Sequence, residues 1–584
     1  MLRVEASFET DLVSTRRANL RCGAPPQRAR RLRVRGARAG SERRRDAAAT
    51  MWIGRVAEVA GAPAGADAGA RSSRSSRSSS LVVFAMAQAI AVYVAFVVAW
   101  RWAAARRARG RRGIEARGTA RSAYCVPSDD EEEEEEEEED GDDDDDDDDD
   151  GGVRRRRRTR GAARSRSRTR RSAAPPPPPP PPVAIVLPVK GVKPDSEDNW
   201  RAQLSSSYAG DREYVFVVES ADDPAAAAAT RLAKEFGRDR AGRAGRVRVR
   251  VLEAGSSTRS SQKIHSMLKG ARAVCVEDLT AKYVLFLDDD IRTHANTIGS
   301  LVSSMETLGE DAFLVNGYPF DIPEESAASS AAFVDYLTMV YHLVLIVAFS
   351  QGAVAKNVWG GCMLLRASDV RQNTHGWVTR YEDGGYSDDL ILASLCDEHA
   401  RVIGCPFDAL FPQRMGGGGG GRKSKKTFAR WWNYLRRQLF VMDTYSNAHN
   451  RRVNHAMLLV LSYLSLAVTT GMACALTELA SWGSARSEVD VRFPSLAAAV
   501  VVAFACAVRS ARAMYAAMGD LAEALGDADA NALVKKINWA KVAAAFACAY
   551  ALVPIAAAIT ATRATVVWEG VAYEKRRGKV TRRG

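Results

Sequence analysis

Short apolar runs alternate with helical patterns in the middle of this chain. Four runs rich in β-branched or aromatic residues extend from Val183 to Leu187, Tyr214 to Val218, Val247 to Leu252 and Tyr283 to Leu287. The helical patterns between them begin at Glu197, Pro224 and Ser261. Strands that alternate with helices in this way predict an α/β fold, with a mostly parallel sheet covered on both faces. In such sheets, ligands bind beyond the carboxyl ends of the strands.

A longer apolar stretch precedes this region. The twenty residues from Leu81 to Trp100 include no charged side chain. At a rise of 1.5 Å per residue, a helix of this length spans about 30 Å, which is the thickness of a bilayer core. We therefore predict a transmembrane helix at residues 81–102. Arginines are denser after this helix than before it, which predicts that the following domain lies in the cytosol.

Three further apolar stretches define a C-terminal membrane region at residues 456–562. They extend from Ala456 to Leu476, Leu496 to Val508 and Val542 to Ala561. Three spans would place the basic tail at 563–584 in the lumen, against the preference of basic segments for the cytosol. The sequence thus leaves two or three spans open, with one stretch as a hairpin or an interfacial helix.

One more apolar stretch, from Val334 to Phe349, lies inside the central region. Asp335 and His342 interrupt it, which favours an interfacial helix that lies on the bilayer. A buried core helix is the alternative. In either case His342 is expected on the helix surface rather than as a ligand.

The remaining sequence is of low complexity. Residues 1–80 are rich in Arg, Ala, Ser and Gly and cannot bury enough apolar surface to fold, so we predict disorder. A transit peptide, or a start at Met51, would also fit this region. Residues 103–182 contain acidic, Arg-rich and polyproline blocks, which predict a solvated tether.

The charge pattern and the cysteines narrow the choice of partners and compartment. The formal net charge is +13, but the acidic and basic blocks of the tether lie close together and can pair with each other. We therefore expect no nucleic-acid partner, with binding of nucleic acid or anionic lipid by the Arg-rich block as the alternative. The nine cysteines are scattered, without a C-x-x-C pair or zinc-ligand spacing, which favours a reducing compartment.

Three aspartates follow the fourth apolar run directly, in the sequence YVLFLDDDIRTH from Tyr283 to His294. Side chains alternate along a strand, so Asp288 and Asp290 are expected to point together while Asp289 points away. Two carboxylates at the ligand-binding edge of a sheet suit a divalent cation that keeps other positions free for phosphate oxygens. An acidic turn or a helix cap is the alternative.

Two other acidic clusters lie at comparable positions. Asp222 and Asp223 follow the second strand, and Asp223 fits either a helix cap or a nucleotide contact. Asp388 and Asp389 follow paired glycines in GGYSDD and open a helical pattern. One of these two aspartates is expected to cap the helix. The second is expected to face a ligand, where a carboxylate can take the proton from an attacking hydroxyl.

Taken in order, the motifs resemble those of ceramide glucosyltransferases, particularly the plant-type members. The resemblance covers roughly residues 183–445. It rests on SQKIH at Ser261–His265, YVLFLDDDIRTH, GYP at Gly317–Pro319, WGGCM at Trp359–Met363, GGYSDD, and FARWWNYLR at Phe428–Arg436.

This resemblance implies a GT-A type domain that moves glucose from UDP-glucose to the primary hydroxyl of ceramide with inversion, assisted by Mg²⁺ or Mn²⁺. It implies an integral membrane enzyme of the Golgi or endoplasmic reticulum, whose partners are UDP-glucose, ceramide or a related lipid, and the bilayer. The resemblance implies that Asp222 or Asp223 lies near the nucleotide and that Asp288 and Asp290 hold the metal-bridged diphosphate. It implies that Asp389 is the general base, beside Asp388, and that Lys263 contacts the diphosphate or the base. Arg430 and Trp431 are implied to lie near the diphosphate and the acceptor. Without the motif match, Lys263 and His265 fit solvent-facing positions on an amphipathic helix.

The chain departs from the family pattern before Arg430. The Gln of the Q-x-x-R-W motif is replaced by Thr427, as plant-type relatives also tend to lack it, and six glycines at Gly416–Gly421 indicate a flexible inserted loop. A processive β-glycan synthase is the alternative enzyme, but the missing Gln and the few spans disfavour it. A non-catalytic membrane scaffold is the alternative outside enzymes, although it would not need three acidic motifs at sheet edges.

Overall fold

The computed structural model describes residues 68–115, 124, 179–193, 195–236, 245–324, 332–349, 353–415, 427–484 and 494–583. The predicted N-terminal disorder up to residue 67, the tether from 116 to 178 except Tyr124, and the glycine run lie outside these residues. All contacts reported below are within the unit Ser78–Gly584.

Ten strands build the central domain over its described residues. They are β1 (Val183–Pro188), β2 (Arg212–Val218), β3 (Val247–Glu253), β4 (Tyr283–Leu287), β5 (Ala312–Asn316), β6 (Tyr318–Pro323), β7 (Val354–Ala355), β8 (Cys362–Arg366), β9 (Val402–Gly404) and β10 (Leu410–Met415). Eight of them join in the order β3-β2-β1-β4-β8-β5-β9-β7, while β6 and β10 pair separately. Strands β3, β2, β1 and β4 are parallel, and β8 runs antiparallel to β4 and β5. The sheet confirms the predicted α/β fold and the mixed, mostly parallel arrangement expected of a GT-A type domain.

The described helices flank this sheet or extend away from it. In chain order they are α1 (Ala68–Glu115), α2 (Ser196–Leu204), α3 (Pro224–Phe236), α4 (Gln262–Arg272), α5 (Thr297–Leu308), α6 (Phe333–Phe349), α7 (Ala367–Arg371), α8 (Trp377–Glu382), α9 (Asp388–Glu398), α10 (Phe428–Val441), α11 (Ala448–Ser484), α12 (Ser495–Ala524), α13 (Ala528–Lys535) and α14 (Trp539–Thr562).

Alternate side chains of β1 enter two different cores, as the period of a strand requires. Ile185 and Leu187 join an apolar cluster with residues of α2, α3 and α5. Ala184 and Val186 join a second cluster, which continues into α1, α12 and α14. The sheet therefore shares one of its cores with the long apolar helices.

In the part of the chain that the structure describes, four helical segments are long and apolar enough to cross a membrane. They are Ser79–Ile114, Ala448–Trp482, Ser495–Ala524 and Trp539–Thr562. The first contains the predicted span at 81–102 but belongs to a helix that starts at Ala68 and ends at Glu115, inside the regions predicted to be disordered or a tether. After the apolar stretch, residues 101–112 are mostly alanine and arginine, which are good helix formers and allow the helix to continue.

The apolar helix α6 is buried rather than spread on a surface. From Val334 to Phe349 none of its residues is exposed, and it packs against β6 and α14. The indole of Trp100 in α1 donates to the carbonyl oxygen of Leu343 (3.1 Å). The buried alternative therefore describes the packing of α6 within the protein, and its position relative to a bilayer stays a prediction.

The chain ends in a small antiparallel sheet instead of a basic tail. Its strands are β11 (Thr565–Trp568), β12 (Val571–Arg576) and β13 (Lys579–Arg583). This C-terminal sheet hydrogen bonds to the central domain, because Val580 N donates to Gly384 O (2.9 Å) and Tyr445 N donates to Gly578 O (2.9 Å). Residues after α14 thus contact the loop that contains GGYSDD.

Candidate active site

The three consecutive aspartates form the turn that follows β4. Side chains of α2 hold its backbone: the amide of Gln203 donates to the carbonyl oxygens of Asp288 (3.1 Å) and Ile291 (2.8 Å). The indole of Trp200 donates to the carbonyl oxygen of Asp289 (3.1 Å). The main chain of the turn is therefore fixed from behind, and its carboxylates project from a defined edge of the sheet.

Lys263 lies between this acidic turn and the start of α9. Its Nζ is 2.8 Å from Asp288 Oδ1 and 2.9 Å from Asp388 Oδ2, and it donates to the carbonyl oxygen of Gly360 (3.1 Å). Ser261 caps α4 by accepting a backbone N–H of the first turn, which fixes the segment that carries Lys263. The lysine side chain is only 17% exposed, so the solvent-facing interpretation is wrong.

The pKa values of these groups reflect burial and crowding of charge. Burial alone would lower the pKa of Lys263, but the carboxylates of Asp288 and Asp388 outweigh it and raise the pKa. Lys263 therefore remains a cation. Burial raises the pKa of Asp288 to about 6 against the opposing effect of Lys263, with the carboxylates of Asp290 and Asp388 adding to the rise. The site holds more negative charge than the lysine neutralises.

Asp289 and Asp290 share a different cation, Lys193. Its Nζ is 3.5 Å from Asp289 Oδ1 and 3.9 Å from Asp290 Oδ2. We expected Asp288 and Asp290 to point together and Asp289 to point away. The side-chain contacts differ, because Asp289 and Asp290 share Lys193 while Asp288 contacts Lys263. The strand ends at Leu287, so the period of two does not extend into the turn. Asp290 still raises the pKa of Asp288, and at 57% it is the most exposed of the three carboxylates.

The GGYSDD segment places two carboxylates in the first turn of α9. Ser387 is the helix cap, since its Oγ accepts from Leu390 N (3.2 Å), which corrects the expectation that an aspartate caps this helix. Asp388 is instead free to reach Lys263. A Cβ atom on Gly360 would lie 2.7 Å from Asp388 Oδ2, so the WGG segment requires glycine where the carboxylate packs.

Asp389 presents a half-buried carboxylate beside this cluster. Its Oδ1 accepts from Ser387 Oγ and from Leu390 N (2.7 Å), and no hydrogen bond to Oδ2 occurs among the described residues. Burial and the neighbouring Asp388 raise the pKa of Asp389 to about 6, against these hydrogen bonds and Lys263. The group is ionised at neutral pH, yet more basic than an exposed aspartate, which suits a general base.

The aspartates after β2 have separate surroundings. Asp223 Oδ1 accepts from Gly191 N (2.8 Å) and from Ala225 N (2.9 Å), so it fixes the loop after β1 to the first turn of α3. Of the two roles predicted for Asp223, these contacts correspond to the helix cap, here of α3. Asp222 is exposed, and within the described part of the chain no hydrogen bond or ion pair joins it to Lys263.

Arg430 and Trp431 lie in the first turn of α10. Thr427, which replaces the motif Gln, caps this helix by accepting from Arg430 N (3.4 Å). Trp431 is buried next to Phe428, with ring centroids 5.7 Å apart, whereas Arg430 is exposed. Across the described residues, no hydrogen bond or ion pair joins Trp431 to the Lys263 cluster.

A polar chain between β6, α6 and α10 was not predicted. His342 Nδ1 contacts the carboxylate of Asp321, and its Nε2 is 2.7 Å from the hydroxyl of Tyr434. The expectation that His342 is only a helix-surface residue is wrong. Burial is the main cause that raises the pKa of Tyr434, and Tyr341 and the carboxylates of Asp321 and Asp290 raise it further. Because Asp290 belongs to the acidic turn, its effect indicates that this polar chain lies near that turn. The three residues are far apart in sequence, and no motif links them.

The C-terminal sheet contacts three of the motif segments. The hydroxyl of Tyr573 accepts from Gln262 N (3.1 Å), next to Lys263. Arg582 donates to Glu219, the first residue after β2, over 2.6 Å. Tyr573 also packs against Tyr386 of GGYSDD, with ring centroids 5.4 Å apart. These residues border the site, although the sequence indicated only a basic tail.

A match to a family model supports a glycosyltransferase. Residues 159–373 match the family model described as Glycosyl transferase family 21, a range that includes the acidic turn and ends before GGYSDD. The chain is similar to the mannosyltransferase PcManGT from Pyrobaculum calidifontis in complex with GDP-Man and Mn²⁺, with 14% identity, a TM-score of 0.31 and coverage of 57% of this chain and 89% of that chain. It is also similar to S. aureus TarS 1–349, with 11% identity, a TM-score of 0.24 and coverage of 69% and 99%. No curated protein matches the chain.

Proposed function

We propose that this chain is a membrane-bound, inverting glycosyltransferase that transfers glucose from UDP-glucose to the primary hydroxyl of ceramide. The family match supports glycosyl transfer, and the four long apolar helices support an integral membrane protein. The choice of donor and acceptor rests on the motifs that resemble ceramide glucosyltransferases. The proposed location is the Golgi or the endoplasmic reticulum, with the central domain in the cytosol, where UDP-sugars are available.

The observation that carries this proposal is the pair of contacts made by Lys263. By bridging Asp288 and Asp388 at 2.8 and 2.9 Å, it fixes the end of β4 against the start of α9. The proposed diphosphate side of the site and the proposed base, Asp389, are therefore parts of one rigid arrangement. Fixed positions of this kind lower the barrier by orienting the reactants before reaction.

In this proposal Asp389 is the general base. The acceptor O–H loses its proton to the carboxylate while its oxygen attacks the anomeric carbon of glucose, and the bond from that carbon to the UDP oxygen breaks. A single displacement of this kind inverts the configuration and needs no covalent intermediate. The pKa of Asp389, raised to about 6, supports this role, because the group is ionised at neutral pH and still accepts a proton.

The donor set fits a divalent cation that the diphosphate of the donor helps to hold. Asp288 and Asp290 would offer two hard oxygen ligands in place of their contacts with Lys263 and Lys193, and the raised pKa of Asp288 indicates negative charge that a cation would offset. Within the described residues, no group of three or more His, Cys, Asp or Glu side chains could hold a metal alone, so phosphate and water would complete the coordination. Mg²⁺ or Mn²⁺ would neutralise part of the negative charge on the leaving UDP.

The other candidate residues have proposed binding roles. Asp222 and Asp223 follow β2 at the sheet edge where the nucleotide is proposed to bind. Arg430 and Trp431 are proposed to border the acceptor and the diphosphate. Their helix, α10, packs along α14, which supports an approach of the lipid from the side of the membrane helices.

The experiment is a transfer reaction with membranes that contain the full chain. Labelled UDP-glucose, Mg²⁺ or Mn²⁺ and a short-chain ceramide should give a labelled glycolipid with inverted anomeric configuration. A chelator should stop the reaction, and added metal should restore it. UDP-galactose and GDP-mannose as donors, and a sterol and diacylglycerol as acceptors, test the substrate choice. Lack of product with every pair would overturn the proposal.

A further inference from the structure

A groove of about 700 Å³ lies between α1, α12 and α14, away from the carboxylates of the candidate site. Its lining includes two kinds of side chain in one concave surface. The apolar part includes Val501, Phe504 and Val508 of α12, and the polar part includes Arg101, Arg509 and Arg512. All three helices contain segments long and apolar enough to cross a membrane, so the groove lies among helices that are expected to contact lipid.

The apolar and cationic residues are ordered along one face of α12. Val501, Phe504, Val508 and Arg512 follow at spacings of three and four residues, which aligns them on one side of the helix. At 1.5 Å per residue, Val501 and Arg512 are about 16 Å apart along the helix axis. An apolar section of this length that ends in cations matches an acyl chain that ends in an anionic head group.

Three guanidinium groups are concentrated at the cationic end. Arg101 of α1 donates to Ser510 Oγ (3.3 Å), which places Arg101 at the level of Arg509 and Arg512. No carboxylate lines the groove, and in the described part of the chain none pairs with these three arginines. Like charges at one level repel each other, and an anion between them would offset that repulsion. Trp539 completes the lining with the residue type that favours the membrane interface.

We propose that this groove binds an anionic phospholipid of the surrounding bilayer. Its phosphate lies among Arg101, Arg509 and Arg512, and an acyl chain follows the apolar face of α12. Guanidinium groups suit phosphate because they offer several N–H donors in a fixed plane. The substrates of the proposed reaction do not fit this pattern, because ceramide has no phosphate and UDP-glucose has no acyl chain.

The test compares lipid binding to the purified full chain by native mass spectrometry. Phosphatidylglycerol and phosphatidylcholine with identical acyl chains serve as probes. The native chain should retain phosphatidylglycerol in preference to phosphatidylcholine. The double variant Arg509→Gln/Arg512→Gln should reduce phosphatidylglycerol binding by at least about tenfold, because each basic residue contributes measurably to binding of an anionic lipid. Arg509→Lys/Arg512→Lys should retain most of the binding, because the charge remains.

A matched control removes the same charge elsewhere. Arg451→Gln/Arg452→Gln removes two exposed arginines from the start of α11 and should leave phosphatidylglycerol binding within about twofold of the native value. Equal retention of both lipids by the native chain would overturn the proposal whether or not any variant folds. Unchanged binding in the folded Arg509→Gln/Arg512→Gln variant would also overturn it. Displacement of the lipid by inorganic phosphate alone would show a simple anion site instead.

Discussion

Lys263 is the half-buried cation that joins the two carboxylate-bearing segments of the site. Without it, Asp288 and Asp388 would face each other with no positive charge between them. We predict that Lys263→Met lowers the free energy of unfolding by about 3 kcal/mol, because loss of one partner leaves buried charges unpaired. Thermal unfolding measures this, with Lys269→Met, an exposed position on the same helix, as the control. Equal destabilisation by both variants would show that the ion pairs have no special importance.

The ionisation of Asp389 should set the pH dependence of the reaction. Its pKa is raised by burial to about 6, and a general base must be ionised. We therefore expect kcat/KM to fall about tenfold per pH unit below pH 6 and to be level just above it. The measurement is the transfer rate across this range. A rate that is constant through about pH 5 to 7 would contradict the assignment.

The same raised pKa has a consequence for stability. Because the folded state holds this proton more tightly than the unfolded chain, stability should decrease as the pH rises from the ordinary aspartate pKa of about 4 through about 6. Asp389→Asn removes the titrating group, so the variant should be more stable than the native chain at pH 7 and gain little at low pH. Thermal unfolding at both pH values checks this, and a variant less stable at pH 7 would contradict it.

At the scale of elements, the sequence predicted the strands that are buried on both faces. The runs that became β1, β2 and β4 are apolar throughout, so their pattern did not depend on distant partners, whereas the edge strand β3 alternates valine with arginine. The C-terminal sheet could not be found in this way, because β12 and β13 are short and rich in charge. Its position depends on contacts such as Tyr573 with Gln262, which are 311 residues apart. The ion pairs of Lys263 with Asp288 and Asp388 could not be predicted for the same reason, because the partners are distant in sequence.

The C-terminal sheet should contribute to catalysis through the segments it holds. Tyr573 and Arg582 fix Gln262 and Glu219, which flank the proposed donor site. We predict that Tyr573→Phe/Arg582→Gln lowers kcat/KM for the donor by about tenfold or more, since one hydrogen bond of Tyr573 and two of the charged Arg582 are lost. Arg583→Gln, at a 65% exposed side chain, is the control and should stay near the native value. If the double variant had the same kcat/KM as the native chain, the C-terminal sheet would not contribute to catalysis.

At the scale of the whole molecule, contacts at both ends of α14 bear on the number of membrane crossings. Before its first turn, Asn538 N donates to the hydroxyl of Tyr336 (3.3 Å) in α6. After its last turn, the side chain of Asn433 in α10 donates to Val567 O (3.2 Å). A charged, open β-sheet does not lie in a bilayer core, so both ends of α14 belong on the side of the central domain. This favours crossings by α11 and α12, with α14 lying beside the central domain without a crossing.

We therefore predict that the C-terminus and the central domain are on one side of the membrane. An epitope tag after Gly584 should be removed when protease is added to sealed vesicles whose central domain faces outward. A tag placed in the connection between α11 and α12 should be protected in the same vesicles. Protection of the C-terminal tag while the central domain is digested would instead require three crossings after the domain.

The central claim is that Asp389 removes the proton from the acceptor hydroxyl. It is tested most directly by the rate of glucose transfer to a short-chain ceramide in Asp389→Asn, which keeps the shape of the side chain but cannot accept the proton. We predict that kcat falls by about a thousandfold, and that the exposed control Asp198→Asn reacts at the native rate. Equal rates in Asp389→Asn and the native chain would contradict the assignment.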